Sequence, residues 1–213
     1  MQMKHPYTGI IFDCDGVLFE SRRANLAYYN AILVEFGEAP VDENELERTH
    51  LCHTAASPQV LGILLGEERA AAALDFAAGL DYRRFIPEMH PEPGMQEVLA
   101  ILSSRFPIGV ATNRGASMPE IIRHFNLGDH FHTVVTSRDV PRPKPYPDML
   151  LEASRRMQIP PRQLLFIGDS ELDQAAAQAA GITFAAYKQP LQADLRFESF
   201  AEMLGLLEDR FST

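Results

Sequence analysis

Short apolar, β-branched runs alternate with amphipathic stretches along most of the chain, and this alternation limits the folds open to it. The first run, Gly9-Ile10-Ile11-Phe12, stops at Asp13 and Gly16; runs of the same kind cover 107–112, 133–136, 164–167 and 183–187. Apolar runs of this length, closed by turn residues, read as buried strands. Between them, Met95, Val98, Leu99 and Leu102 recur at helical spacing after the Pro93-Gly94 turn. Ser117 and Glu120 have the spacing of a capping box, with Pro119 in the first turn. A further helix starts near Pro147-Asp148 and turns Leu150, Ala153 and Met157 inward, and an Ala-rich one from Glu171 stops at Gly181. Strands alternating with helices predict an α/β fold, a Rossmann-like parallel sheet flanked by helices.

One stretch breaks the rhythm. Residues 19–88 carry no convincing strand and several helical patterns. Leu26, Tyr29, Ile32, Leu33 and Phe36 form one apolar stripe, ended by Gly37, and helical stretches follow at 58–65 and 67–85. The expected organisation is an α/β core of residues 1–18 and 89–213, with a small all-helical domain, 19–88, inserted after the first strand.

Composition narrows the partners. The chain has 213 residues, 29 acidic and 19 basic, for a formal charge of −10. No basic stripe is present, so no nucleic-acid partner is expected. Cys14 and Cys52 are the two cysteines, and such sparing use points to a reducing compartment. Residues 1–6 lead into only a short apolar run, so no signal peptide is expected. No window approaches a membrane span of about 18 apolar residues. The expectation is a cytoplasmic protein without a membrane partner; nothing in the sequence sets its oligomeric state.

In open parallel sheets, function gathers at the carboxyl ends of the strands. Asp13 and Asp15 follow the first strand, and Thr112, Asn113 and Arg114 the second. Lys144 follows the third within Arg142-Pro143-Lys144-Pro145, and Asp169, Ser170 and Asp173 follow the fourth. An Asp-x-Asp-Gly segment alone is an ordinary turn. An EF-hand loop fails, because Leu18 and Ala24 stand where Gly and Glu are required. Taken together, the four groups would gather three or four carboxylates at one end of the sheet. That arrangement is repulsive without a cation, and hard oxygen donors of this kind suit Mg²⁺.

The segment Phe12-Asp13-Cys14-Asp15-Gly16-Val17-Leu18 resembles the first motif of the haloacid dehalogenase (HAD) superfamily. Thr112-Asn113, Lys144 and Gly168-Asp169-Ser170-x-x-Asp173 resemble its second, third and fourth motifs. The helical insertion is similar to the small cap of the phosphoglycolate phosphatase and β-phosphoglucomutase branch. The resemblance implies that Asp13 is a nucleophile forming an aspartyl-phosphate and Asp15 a general acid and base. It implies phosphoryl binding by the Thr112 hydroxyl, the Asn113 backbone N–H and Lys144. Mg²⁺ would be held by Asp13, the Asp15 carbonyl, Asp169 and Asp173.

Departures within the superfamily bear on the reaction. Asp15 argues against a dehalogenase, which lacks this second acid. Phosphonatases lack it too and use a cap lysine, whereas residues 19–88 contain no lysine. β-Phosphoglucomutases carry a cap His twelve residues after the nucleophile, where this chain has Asn25. The reading is a Mg²⁺-dependent phosphatase acting on a small phosphorylated metabolite, of phosphoglycolate or sugar-phosphate type. The alternatives are a β-phosphoglucomutase-like mutase and a non-catalytic binding protein of the same fold. Candidate substrate contacts are Arg48, His50 and His53, in a polar stretch over 48–54 that reads either as a ligand-facing loop or as a polar helix end with one buried Cys, and Arg114, placed to meet a second anionic group or an acid of its own domain.

Overall fold

Alternate side chains of the apolar runs enter two different cores, one on each face of the sheet, which is why the runs read as continuously hydrophobic. The computed structural model describes residues 7–211; residues 1–6, on which the signal-peptide expectation falls, lie outside the described residues. In chain order, β1 (Gly9–Phe12) turns tightly into β2 (Phe19–Glu20), followed by α1 (Arg22–Glu35), α2 (Leu46–Thr54), α3 (Ser57–Leu65) and α4 (Glu67–Gly79). Two 3₁₀ turns at Tyr82–Arg84 and Ile86–Glu88 lead to β3 (His90–Pro91). Then come α5 (Met95–Ser103), β4 (Ile108–Thr112), α6 (Met118–His124), β5 (Thr133–Thr136), α7 (Asp148–Met157) and β6 (Leu164–Gly168). The chain closes with α8 (Glu171–Ala180), β7 (Thr183–Tyr187), β8 (Leu195–Phe197) and α9 (Phe200–Phe211).

The main sheet has six strands in the order β5-β4-β1-β6-β7-β8, every neighbouring pair parallel. It is the α/β, Rossmann-like sheet expected from the sequence. Ile10, Phe12, Val110 and Ile167 face the core under α5 and α9, where Leu99, Leu102, Phe200 and Met203 are buried. Ile11 and Phe166 face the opposite core with Met149 and Leu150 of α7 and Ala176 and Ala177 of α8. Helices α1 to α4 bury a third cluster of their own, including Ile32, Leu33, Val60, Leu61 and Ala73. No helix among the described residues is long and apolar enough to cross a membrane.

Of the two readings of 48–54, the structure takes the helix: the stretch is the body of α2, with Cys52 and His53 buried on its inner side. Four local expectations are corrected. Helix α4 stops at Gly79, short of 85. The insertion begins on a strand: Phe19 and Glu20 pair antiparallel with Pro91 and His90, tying its two ends together. Ser117 is itself helical (φ −74°, ψ −23°) and makes no capping bond, while Glu120 pairs with Arg123 instead; a capping side chain needs a residue that is still extended. Finally, β8 and α9 extend the sheet and cover it beyond the last strand expected.

Backbone spacing near the strand ends is tight. A Cβ on Gly168 would lie 2.5 Å from Cβ of Asp173, a buried atom of the following helix that cannot swing aside. Gly205, inside α9, has open space around it. Gly168→Ala is expected to destabilise the fold by about 1–3 kcal/mol through overpacking, whereas Gly205→Ala is expected to stabilise it by about 1 kcal/mol. Urea denaturation midpoints of the two variants check both signs.

Candidate active site

Three neighbouring strands, β4, β1 and β6, end side by side at the point where the chain reverses its direction of progress across the sheet. Such switch points leave a crevice beyond the strand ends. The Asp13 amide continues the ladder by donating to the Ile167 carbonyl at 2.8 Å. After Asp15 the chain reverses at Gly16, whose φ of +74° lies in the left-handed region that favours glycine. A side chain at Gly16 would collide with the Asp169 carboxylate, so this glycine also permits the approach of β1 to the β6 loop.

Four of the residues singled out in the sequence form one buried ionic cluster. The Lys144 ammonium lies 2.9 Å from Oδ1 of Asp13 and 2.6 Å from Oδ1 of Asp173. Lys144 is only 2% exposed and Asp173 is fully enclosed. Asp173 therefore does more than start a helix. Its Oδ2 accepts from the Asp169 and Ser170 amides at 3.2 and 3.1 Å and from the Ser170 hydroxyl at 2.6 Å. The Ser170 hydroxyl accepts in turn from the Asp173 amide, completing a capping box on α8. One side chain thus fixes the Asp169 loop, caps a helix and anchors the lysine.

Asn113 holds the lysine loop in place. Its Oδ1 accepts from the Lys144 amide at 2.9 Å, and its Nδ2 donates to the carbonyls of Lys144 and Thr54 at 3.1 and 3.0 Å. The side chain thereby ties the ends of β4, the Lys144 loop and α2 together. The sequence reading considered only its backbone N–H. Thr112 is buried beside it, its hydroxyl accepting from the Arg114 amide at 3.2 Å.

Asp15 stands in a second network. Its Oδ1 accepts from Ser21 Oγ, from Asn25 Nδ2 at 3.1 Å and from Arg114 Nη2 at 2.5 Å. Arg114 also donates to Tyr82 Oη at 2.5 Å and to Asn25 Oδ1 at 2.7 Å. Of the two partners open to Arg114 in the sequence, the structure displays the acid of its own core. Ser21 and Tyr82 were not singled out in the sequence, and Asn25 was noted only as a departure; the residue types carry no signal for this contact. Asn25 does occupy the position twelve after Asp13, the one spacing that could have found it.

The remaining candidates separate. His53 is buried, with Nε2 3.9 Å from Oδ2 of Asp169 and Nδ1 3.3 Å from Asn25 Nδ2. His50 lies at the surface and bonds Glu171 at 2.7 Å, bridging α2 to α8. Arg48 pairs with Glu45 on the exposed side of α2 and lines neither cavity beside the acids. A cavity of about 50 Å³ opens over Asp13, Asp15, Thr112 and Arg114, roofed by Tyr28, Tyr29 and Tyr82. A larger one, about 440 Å³, reaches Asp169 from the other side of His53.

Burial and charge set the titration of these groups. Burial pushes Asp13 up to about 8, more than Lys144 can offset, and raises Asp169 as well. Burial opposes the charge on Lys144, but Asp13 and Asp173 outweigh it and hold the ammonium firmly protonated. Asp15 behaves oppositely to Asp13: burial would raise it, yet Arg114 and His53 draw it below the usual carboxylate range. Burial would also lower His53, but Asp169 and Asp15 raise it instead.

Asp13, Asp169 and Asp173 each offer an oxygen, and these oxygens lie within 4.8 Å of one another. Three carboxylates gather around the one ammonium of Lys144, so by formal charge the cluster is short of positive charge. A hard, oxygen-seeking dication such as Mg²⁺ fits this donor set.

Comparison with known proteins agrees with this geometry. Residues 10–187 match the family description Haloacid dehalogenase-like hydrolase. The chain is 30% identical to a phosphoglycolate phosphatase of Rhodobacter capsulatus, the match covering 93% of this chain and 96% of that one. Among solved structures, a HAD-superfamily hydrolase of subfamily IA from Geobacter sulfurreducens superposes with a TM-score of 0.82 at 38% identity, over 94% of this chain and 99% of that one. A mutant of CbbY from Rhodobacter sphaeroides, solved with xylulose-1,5-bisphosphate, shares the fold with a TM-score of 0.77 at 21% identity, covering 92% and 96% of the two chains. This chain belongs to the haloacid dehalogenase-like hydrolases.

Proposed function

We propose that this hydrolase is a phosphomonoesterase acting on a small phosphorylated metabolite of the phosphoglycolate type, through an aspartyl-phosphate on Asp13. The observation that carries the reading is the buried Lys144–Asp13–Asp173 cluster beneath a small cavity. The name of the Rhodobacter capsulatus relative supports the substrate type. A Mg²⁺ ion held by Asp13, Asp169, Asp173 and the Asp15 carbonyl would supply the positive charge that lets a carboxylate meet a phosphate.

In the first step an Asp13 oxygen bonds to phosphorus, the ester P–O bond breaks, and the departing oxygen takes a proton from Asp15. In the second, Asp15 takes a proton from water, the water oxygen bonds to phosphorus, and the Asp13–phosphorus bond breaks. Phosphate leaves and both carboxyl groups are restored. Lys144 neutralises charge on the phosphoryl oxygens while restraining Asp13, and the Thr112 hydroxyl and Asn113 amide complete the cradle. Residues 19–88 act as a cap over the core formed by 1–18 and 89–213. The cap carries the tyrosines over the cavity and excludes bulk water. His53 borders the site, and His50 latches the cap to α8.

Wild-type protein is expected to release inorganic phosphate from phosphoglycolate with Mg²⁺ and to lose that activity in EDTA, recovering it when Mg²⁺ is restored. Asp13→Asn should fold and release none; substantial turnover by this variant would rule out the covalent route. Following the product as well as free phosphate separates hydrolysis from isomerisation of glucose phosphates, the outcome a mutase would give.

Lys144→Ala leaves two buried carboxylates without their cation. Its expected loss is about 3–5 kcal/mol of stability and at least about a hundredfold in kcat, measured by urea denaturation and by phosphate release. A stable variant with wild-type kinetics would remove Lys144 from the site.

A further inference from the structure

Among the described residues Arg114 is the sole Lys or Arg side chain lining the cavity over Asp13, and its hydrogen bonds are incomplete. Nη1 donates to Tyr82 and lies 3.4 Å from Ser117 Oγ, and Nη2 donates to Asp15 and Asn25. Nε is buried and has no partner. A buried donor left unpaired is costly, so its persistence in a cavity wall marks a place where a ligand can supply the missing acceptor. The side-on fork of a guanidinium, Nε with Nη2, matches the two oxygens of a carboxylate. Here one prong of that fork is free and the other rests on Asp15.

We propose that Arg114 is the residue that selects substrates by a second anionic group, a carboxylate on the leaving portion of the phosphoester, and that binding exchanges the Asp15 carboxylate for the substrate's. The substrate oxygens take Nε and Nη2; Asp15 keeps Ser21 and Asn25 and is released toward the departing ester oxygen. The guanidinium stays paired throughout, since the substrate carboxylate takes the place that Asp15 leaves. The cavity's volume of about 50 Å³ favours a leaving group of two or three carbons over a sugar carrying a second phosphate. A neutral leaving group cannot make the exchange, so Asp15 stays on Arg114 and turnover suffers as well as binding. The inference rests on the phosphatase reading and adds a selecting residue to it.

The test compares phosphoglycolate, ethyl phosphate and glucose 1,6-bisphosphate on wild type, Arg114→Gln and Arg114→Lys, with thermal unfolding to establish that each variant folds. Ethyl phosphate has the same two carbons as phosphoglycolate and lacks the carboxylate. Wild type is expected to favour phosphoglycolate over ethyl phosphate by at least about tenfold in kcat/KM, with part of the difference in kcat. Arg114→Gln should reduce that ratio about tenfold or more. Arg114→Lys, which keeps the charge without the fork, should fall between, and it supplies the answer if the Gln variant does not fold. Equal wild-type rates on the two small esters would overturn the inference while leaving the phosphatase intact. A ratio that survives both substitutions, or a preference for the bisphosphate, would overturn it too. Absence of phosphate release from every ester would instead overturn the phosphatase reading on which it stands.

Discussion

The buried ammonium of Lys144 organises the carboxyl end of the sheet. It lies within 3 Å of carboxylates that belong to different strand ends, Asp13 after β1 and Asp173 after β6. Without it, two acids would face each other out of water, and the cost of burying unpaired charge exceeds that of most single contacts in a protein. Asp173 extends the cluster into the backbone by accepting three hydrogen bonds from the Asp169–Ser170 turn. Asn113 extends it on the other side by gripping the backbone of Lys144 itself. The loops beyond four strands are thereby held in mutual register by one cation and two polar side chains, and the metal-fitting oxygens take their spacing from that frame.

The two aspartates of the first motif live in different electrostatic environments although one residue separates them. Asp13 shares the lysine with another acid and is driven up by burial, whereas Asp15 has a guanidinium to itself and is driven down. Strand alternation alone would put both acids on one face with Cys14 on the other. The strand ends at Phe12, and the turn that follows brings Asp15 to Arg114 after β4 and to Ser21 and Asn25 of the helical insertion. Divergent environments for paired carboxyl groups are the usual basis for giving them different tasks. In the arrangement seen here Asp15 is an acceptor held by Arg114, so the proton-donor role proposed for it depends on what occupies the cavity.

The helical insertion contributes to the same network from the opposite side. Asn25 and Tyr82 reach the Arg114–Asp15 pair, His53 comes within 3.9 Å of Asp169, and the Thr54 carbonyl accepts from Asn113. The antiparallel pairing of β2 with β3 places both ends of the insertion together, and its four helices share one buried cluster. His50 and Glu171 join it to α8 at the rim, through side chains more than half exposed. Such an exposed pair adds little stability.

Much of this was legible along the chain. Continuous apolar runs at Gly9–Phe12 and Leu164–Gly168, with helical spacing between, sufficed for a parallel sheet, because burial on both faces imposes that pattern locally. Asp13, Asp15, Asp169 and Lys144 were readable because strand ends are where such a sheet can hold polar chemistry. Whether 48–54 is a loop or a helix end stayed open in the sequence, since only tertiary burial of Cys52 and His53 selects an inner side. The apparent cap at Ser117 failed because a side-chain acceptor is useful only where the backbone is still extended, which the preceding loop decided. Above all, Arg114's partner was undetermined: a guanidinium can pair with any nearby anion. Only the folding of Ser21, Asn25 and Tyr82 around it, from 32 to 93 residues away in the chain, placed it on Asp15. Local periodicity determined the sheet and the residues at its edge; long-range packing decided which of those charges face one another.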